Sequence, residues 1–224
     1  MKYKKESLFW NDKQNIKWFE EYPASDYWAK FLKTIKDKQT KKVLDLGCGA
    51  GRHTKLLNQL GFDIYACDRY VGMVGKTRKG MSSAKWPDKK LKERITRQSM
   101  SNLSYSSNFF DIVICHGVYH NAFSLKTFKK SISESSRILK KDGKLLFNVF
   151  TNEFLSKDLK LIDKKNYLYL TKENLRMVLI SPEMFLELAS QEKLTPVNKG
   201  DLVRYQSNVL TGTRAVFRGI LLKK

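Results

Sequence analysis

The sequence contains few cysteines and no long apolar run, and these absences exclude several classes of protein. Only three cysteines occur in 224 residues, and their spacing fits neither a disulfide framework nor a zinc site. No apolar segment is long enough to span a bilayer, and none of signal-peptide length follows the basic amino terminus. We therefore expect a cytoplasmic, unexported protein with reduced thiols and without a membrane partner.

Acidic residues are also scarce: 22 Asp and Glu stand against 43 Lys and Arg, a formal net charge of +21. Such a positive field attracts phosphate backbones, so RNA is a possible partner. However, the basic residues are 33 lysines and 10 arginines, whereas bidentate recognition of phosphate or guanine favours arginine. The charge therefore leaves open both a solvated lysine surface and an RNA-binding surface.

The most informative segment present reads Val-Leu-Asp-Leu-Gly-Cys-Gly-Ala-Gly-Arg and begins at Val43. Its apolar residues lack the alternation of a half-exposed strand, which predicts a parallel strand buried on both faces. Three glycines at alternate positions then allow the backbone to turn sharply and approach a ligand, before a helix that begins near Arg52. The segment therefore predicts a nucleotide-cofactor loop.

Two positions of this loop indicate which cofactor it holds. A dinucleotide-binding loop needs a third glycine where this chain has Arg52. Asp45 precedes the first glycine by two residues and suits a ligand that carries positive charge, such as the ammonium of a methionine moiety. A nicotinamide dehydrogenase is accordingly the least favoured interpretation.

The segment resembles the first motif of the class I S-adenosylmethionine-dependent methyltransferases. Further pieces follow in family order: Phe62–Asp68 resembles the second strand, Phe110–Cys115 the fourth, and Leu139–Phe147 the turn into the fifth. The resemblance spans roughly residues 42–150. It implies an α/β fold with a doubly wound, mostly parallel seven-stranded sheet, helices on both faces and a final antiparallel strand.

The resemblance also implies S-adenosylmethionine as the cofactor. Asp68 takes the position of the carboxylate that holds the ribose hydroxyls, and Ser99 stands where the family usually has an adenine-contacting Asp. A hydroxyl accepts a hydrogen bond more weakly than a carboxylate, so we expect modest affinity. The implied cofactor-binding residues are Asp45, Gly47, Cys48, Gly49, Gly51, Asp68, Arg69, Ser99, Met100 and His116.

The length fits one α/β domain with additions. We predict an aromatic helical cap over residues 1–42, with two helices separated by Pro23 that pack on the sheet or form a lid. The methyltransferase domain then covers residues 43–224, with a substrate-region insertion at 151–180. Helix starts are predicted after Ser124 and at Ser181–Pro182, and two strands around Thr211–Thr213.

The three histidines fall where a doubly wound sheet opens its ligand crevice. Methyl transfer from a sulfonium mainly requires alignment, and a general base only if the acceptor must lose a proton. His116 and His120 are the candidate bases, and Tyr119 or Asn121 is a candidate to orient the acceptor. We expect His53, near a helix start, to be partly exposed. No carboxylate near His116 and His120 completes a metal site, so no metal is expected.

Three functions remain open. The stretch from His116 to His120 lacks the Pro-Pro motif typical of methyltransferases that act on exocyclic amines of bases, which favours methylation of an oxygen or nitrogen of a small molecule. The net positive charge of the chain suggests that this molecule is anionic. A tRNA or rRNA nucleotide is the second candidate acceptor, since wobble-uridine enzymes also lack the motif. A non-enzymatic RNA- or partner-binding protein is the third. The sequence does not indicate an oligomeric state.

Overall fold

The computed structural model describes residues 2–224, with side chains described from Glu6 onward. The chain divides into two units. The first comprises the residues up to Ser99 together with Phe110–Ile114, and the second comprises Met100–Phe109 and Cys115–Lys224. No helix among the described residues combines the length and apolar character needed to cross a bilayer.

The first unit begins with three helices and continues with alternating strands and helices. Its elements are α1 (Lys2–Asn11), α2 (Lys13–Glu21), α3 (Asp26–Thr34), β1 (Lys42–Leu46), α4 (Arg52–Gln59), β2 (Asp63–Asp68), α5 (Val71–Ser83), α6 (Asp88–Arg94), β3 (Ile95–Arg97) and most of β4 (Phe110–His116). Strand β2 pairs in parallel with β1 and with β3. The apolar pattern predicts strands near 43–46 and 62–67 and helices near 52–60 and 71–79, and all four are confirmed, while α6 was not anticipated.

The burial of these strands explains why apolar and polar residues do not alternate along them. Val43, Leu44 and Leu46 of β1 are at most 1% exposed, and Ile64 and Ala66 of β2 are equally buried. Parallel strands covered on both faces need apolar side chains on both faces. Asp45 interrupts this pattern in β1, although it is buried as well.

Helices α1 and α2 contact the start of α5 within the same unit. The Asn11 Oδ1 accepts a hydrogen bond from the Gly72 N–H at 2.8 Å, and the Trp10 ring stacks on Tyr70 with 5.8 Å between centroids. The expected helices on either side of Pro23 are confirmed, because α2 ends at Glu21 and α3 begins at Asp26. A separate cap domain over residues 1–42, and its use as a lid, remain predictions.

The second unit contains the remaining helices and strands. Its elements are the end of β4, a 3₁₀ turn (Tyr119–Asn121), α7 (Leu125–Ile138), β5 (Leu139–Thr151), β6 (Lys160–Asp163), β7 (Leu168–Leu170), β8 (Arg176–Val178), α8 (Pro182–Gln191), β9 (Leu194–Pro196), β10 (Val203–Val209) and β11 (Gly212–Lys223). Strand β11 is antiparallel to β5, β9 and β10. Both predicted helix caps are confirmed: Ser124 accepts from Thr127 N–H, and Ser181 accepts from Met184 N–H.

The strand order of the main sheet is β10-β11-β5-β4-β1-β2-β3, and among residues 2–224 the short β9 adds an eighth strand beside β11. The predicted fold class, a doubly wound and mostly parallel sheet with a final antiparallel strand, is confirmed. The short β9 is an addition to the seven strands expected.

One predicted boundary is wrong. The spacing of Phe128, Ile132 and Leu139 predicts a helix that stops before Asp142–Gly143, but α7 ends at Ile138. Leu139 has extended backbone angles and is fully buried, so it begins β5 instead. The backbone turns at Asp142, whose φ of 62° is left-handed.

The predicted insertion at 151–180 has secondary structure of its own. Strands β6, β7 and β8 form a separate antiparallel sheet. Its buried residues Tyr169 and Met177 form a cluster with Leu179, against which Phe150 and Leu159 pack. The insertion is therefore an ordered part of the second unit, built on the end of β5.

Candidate active site

The glycine loop after β1 has a backbone that only glycine adopts easily. Gly47, Gly49 and Gly51 have φ values of 70°, 55° and 89°, all in the left-handed region. The N–H groups of Gly47 and Cys48 both donate to the Cys67 carbonyl of β2, at 2.8 and 2.9 Å. The loop is thus tied to the neighbouring strand. A Cβ added at Gly49 would meet nothing within 4 Å, so this side of the loop is open to a ligand.

Asp45 links β1 to the first turn of α4. Its Oδ2 accepts a hydrogen bond from the Thr54 hydroxyl at 2.6 Å, and the side chain is 2% exposed. Burial raises the pKa of Asp45 to about 6, opposed by the Thr54 hydrogen bond and the charge of Arg52. The Asp45 carboxyl therefore ties the strand before the glycine loop to the helix after it. Its predicted contact with a cofactor ammonium remains a prediction.

Asp68, at the end of β2, holds two neighbouring loops through its carboxylate. Oδ2 accepts from the Gly49 N–H at 3.0 Å, and Oδ1 accepts from the Tyr70 N–H at 2.9 Å. Burial raises the pKa of Asp68, while these backbone hydrogen bonds lower it. Each carboxylate oxygen has two lone pairs, so both retain capacity to accept from the hydroxyls of a ligand.

Cys48 and Thr77 support the loop from the side of α5. The Thr77 hydroxyl donates to the Gly49 carbonyl at 2.8 Å and lies 3.6 Å from the Cys48 Sγ. Burial raises the pKa of the Cys48 thiol well above its usual range, with the charges of Asp68 and Asp45 adding to the effect. Cys48 is therefore a protonated packing residue. Thr54 and Thr77 were missed by the sequence reasoning, because hydroxyl residues inside helices carry no distinctive local pattern.

The remaining predicted cofactor residues have different environments. Arg69 is exposed, and its carbonyl accepts from the Arg97 Nε–H at 3.0 Å. Ser99 is half-buried in the first unit, whereas Met100 and His116 are half-buried in the second. Their predicted contacts with a cofactor remain predictions.

His53 is buried, so the expectation of partial exposure is wrong. The side chain is 3% exposed, and its Nε2 accepts a hydrogen bond from the Ser25 N–H at 3.3 Å. Burial lowers the pKa of His53 well below its usual value, which keeps the ring neutral. The residue therefore joins the start of α3 to α4 as a structural contact.

His120 is also buried, and its hydrogen bond opposes the predicted role of general base. Its ring stacks on Phe150 with 3.8 Å between centroids, and Nδ1 accepts from the Phe150 N–H at 3.1 Å. Burial, aided by the charge of Arg214, lowers the pKa of His120 to about 3. A neutral imidazole that accepts at Nδ1 carries its proton on Nε2, so the other nitrogen is a donor.

Tyr119 does not face a substrate, in contrast to its predicted orienting role. The side chain is fully buried, its hydroxyl donates to the Ser135 Oγ at 2.7 Å, and its ring packs near Phe128 and Phe185. Burial raises the pKa of Tyr119 well above its usual value. The 3₁₀ turn directs the ring into the core, which the residue order alone does not reveal.

His116 differs from the other two histidines because it is half-buried, at the end of β4. Gly117 follows with a φ of 75°, and its N–H donates to the Asn148 carbonyl at 2.9 Å. This bond fixes the chain immediately after His116. Asn121 donates back to the Gly117 carbonyl at 3.0 Å, which closes the turn.

Arg214 is a buried cation that the sequence reasoning missed. It is 1% exposed on β11, and its guanidinium donates to Asp158 Oδ2 at 2.7 Å and to the carbonyls of Thr211 and Thr213. An arginine directly before the apolar residues Ala215–Phe217 was the available signal. The ion pair anchors the segment after β5 to β11.

Comparison with known proteins identifies a domain in the central part of the chain. Residues 44–147 match the sequence family described as a methyltransferase domain. A glycine/sarcosine N-methyltransferase of Aphanothece halophytica is 31% identical over 123 residues, which cover 53% of this chain and 43% of that protein. This chain thus aligns with less than half the length of that relative.

Solved structures share the fold at low sequence identity. A methyltransferase from Methanosarcina mazei superposes with a TM-score of 0.67 at 15% identity, covering 90% of this chain and 99% of that one. The 1,6-didemethyltoxoflavin-N1-methyltransferase of Burkholderia thailandensis, solved with 1,6-didemethyltoxoflavin and S-adenosylhomocysteine, gives 0.58 at 17% identity, with 89% and 81% covered. With the glycine loop, the two strand-end carboxylates and the strand order, these matches show that residues 44–147 form a methyltransferase domain of the class I S-adenosylmethionine-dependent type.

Proposed function

We propose that this chain transfers a methyl group from S-adenosylmethionine to an oxygen or nitrogen of a small, anionic molecule. The observation that carries the proposal is the Asp68 carboxylate bonded to the Gly49 N–H, because it joins the glycine loop to a hydroxyl-binding acid.

The residues present fit the cofactor. Gly49 is open on the side where a Cβ would project, so a ligand can approach the backbone closely. Asp68 retains lone pairs for ribose hydroxyls, and Asp45 supplies negative charge near the loop. When bound, S-adenosylmethionine supplies an electrophilic methyl group on a sulfonium.

The chain's own contribution to the reaction is alignment and proton removal. An acceptor nitrogen or oxygen attacks the methyl carbon along the bond to sulfur, so its lone pair must be held in line. A protonated acceptor must first lose its proton. His116 is the histidine with partial exposure at a strand end, and we assign it the role of base in place of His120.

Two observations support a small anionic acceptor. The Aphanothece relative is named for glycine and sarcosine, which are small carboxylated amines. Within the second unit, the guanidinium of Arg176 lies 4.5 Å from the centroid of the Phe123 ring, just after the histidine segment. A cation fixed against a ring is suited to a carboxylate or phosphate.

The proposal is tested by incubating the protein with methyl-labelled S-adenosylmethionine and separate metabolite and RNA fractions. Label should enter the metabolite fraction, and Asp68→Ala should weaken donor binding by roughly tenfold to a hundredfold, since charged hydrogen bonds contribute about 1.5–3 kcal/mol. Asp68→Asn is the matched control, because one oxygen can still accept. Unchanged calorimetric affinity in Asp68→Ala would remove this residue from the site.

RNA remains the second candidate acceptor because the net charge of +21 favours it. In that case label should enter the RNA fraction, and RNA binding should fall steeply as salt rises. Metabolite methylation that persists at 200 mM salt, about the range in which backbone contacts weaken strongly, would favour the small-molecule acceptor.

A further inference from the structure

Two side chains of α7 hold both backbone groups of Leu103. The Leu103 N–H donates to Glu134 Oε2 at 2.8 Å, and its carbonyl accepts from Arg137 Nη2 at 2.9 Å. Arg137 Nη1 also donates to the Tyr105 carbonyl at 2.8 Å. All of these residues lie in the second unit. The loop before β4 is therefore fixed at three main-chain groups by one pair of side chains.

Glu134 and Arg137 also form a rigid, bidentate ion pair with each other. Arg137 Nε donates to Glu134 Oε1 at 2.8 Å, and Nη2 donates to Oε2 at 3.0 Å. The hydrogen bond from Arg137 lowers the pKa of Glu134, so the carboxylate stays ionised. Glu134 is 6% exposed, which distinguishes it from a solvated surface pair. Lysine could not reproduce the fork, because its ammonium offers no planar set of donors.

The clamped residue closely follows the two residues whose contacts with the cofactor are expected, Ser99 for adenine and then Met100. Met100 lies three residues before Leu103, and both belong to the second unit. Because the N–H and the carbonyl of Leu103 are both held, the loop cannot move without breaking hydrogen bonds to charged side chains. The clamp therefore determines where the preceding residues are placed.

We propose that Glu134 and Arg137 are positioning residues for the segment Met100–Leu103, which directly follows the expected adenine contact Ser99, and that selectivity for the adenine ring of the cofactor depends on them. This inference rests on the proposed function, since it assumes that the segment binds the cofactor. Loosening the clamp should impair recognition of the adenine ring more than it impairs the remainder of the ligand.

The test compares two ligands and three proteins. S-adenosylhomocysteine and S-inosylhomocysteine differ only in the adenine amine and the neighbouring ring position, so their affinity ratio reports adenine recognition. Arg137→Lys should weaken S-adenosylhomocysteine binding by roughly tenfold or more and bring the ratio toward one. Arg204→Lys is the matched control, because Arg204 pairs with Glu153 and Glu183 at the surface of the same unit.

Melting temperatures recorded beside the calorimetry separate positioning from stability. If Arg137→Lys fails to fold, Glu134→Gln replaces it, since the amide oxygen can still accept from Leu103 while the ion pair is lost. Parent-like affinity and parent-like discrimination in a folded clamp variant would overturn the inference, even with a lower melting temperature. Absence of S-adenosylhomocysteine binding by the parent would instead refute the proposed function.

Discussion

Asp45 has a carboxyl group whose ionisation opposes folding. Its pKa rises from 3.8 to about 6 on burial, so the folded state prefers the protonated form. The stability from this group is fully present below the unfolded pKa of 3.8 and is lost as pH rises through about 6. A shift of this size corresponds to at most about 3 kcal/mol.

Asp45→Asn should remove this loss of stability at higher pH, because an amide does not ionise. Its oxygen can still accept the hydrogen bond from Thr54. We expect the variant to exceed the parent in free energy of unfolding at pH 7.5 and to approach it near pH 4, as measured by urea titration. The exposed Asp88 provides the control, as Asp88→Asn. Parallel pH profiles for Asp45→Asn and the parent would contradict the burial argument.

His116 at the end of β4 and His120 in the turn that follows should respond differently to substitution. His120 accepts from Phe150 N–H through Nδ1 and has a pKa near 3, so His120→Gln should lower kcat by less than about tenfold. His116→Ala should lower kcat by roughly a hundredfold with donor affinity nearly unchanged, because the loss falls on the transition state. A hundredfold loss confined to His120→Gln in a fully stable variant would return the role of base to His120.

Two of the three glycines of helix α5, Gly72 and Gly75, differ in their surroundings. A Cβ on Gly72 would lie 2.8 Å from Ile16 Cδ1 and 2.9 Å from Asn11 Oδ1, whereas a Cβ on Gly75 would meet nothing within 4 Å. Alanine in a helix interior is favoured over glycine by about 1 kcal/mol. Gly75→Ala should therefore stabilise the protein.

Gly72→Ala should lose this gain, because Asn11 must move and release the Gly72 N–H. Hydrogen exchange should then speed up in the amides of α1 and α2 and leave those of β1 and β2 unchanged. Equal stabilisation by both substitutions, with unchanged exchange, would show that the contact with α5 does not hold these helices in place.

The strands and the glycine loop could be predicted from the sequence because their signals are local. An apolar run such as Val43–Leu46, or a glycine at every second position, encodes its own backbone conformation. The supporting contacts could not be predicted, since Thr77 and Arg137 act on residues 28 and 34 positions away. The burial of Tyr119 and His120 was also inaccessible, because it depends on the direction of one short turn.

The three cysteines of the chain are free and buried, and each lies near the carboxyl end of a core strand. Cys67 and Cys115 are fully buried and Cys48 is 4% exposed. A brief exposure of the native protein to iodoacetamide at pH 8 should leave all three unmodified by mass spectrometry, because the reactive thiolate needs both ionisation and access. Labelling should begin only as urea unfolds the chain. Rapid native labelling of Cys48 would show that the glycine loop opens locally.

The excess of lysine affects how molecules meet more than how the chain folds. A net charge of +21 raises the local concentration of anions around the molecule and accelerates their arrival, at low ionic strength above all. A small anionic acceptor would share that advantage with any polyanion. Salt dependence must therefore be measured on the reaction itself as well as on binding.

The bonds from Asp68 to Gly49 and Tyr70 have a thermodynamic consequence for ligand recognition. These hydrogen bonds are made within the protein itself, so the glycine loop is already ordered before a ligand binds. The conformational entropy of the loop is therefore lost during folding and not during binding. Association with a nucleoside ligand then requires little further ordering, and preorganised sites bind more tightly for the same contacts. The heat-capacity change on binding should match the apolar area of the ligand alone, without the larger negative value that accompanies coupled folding.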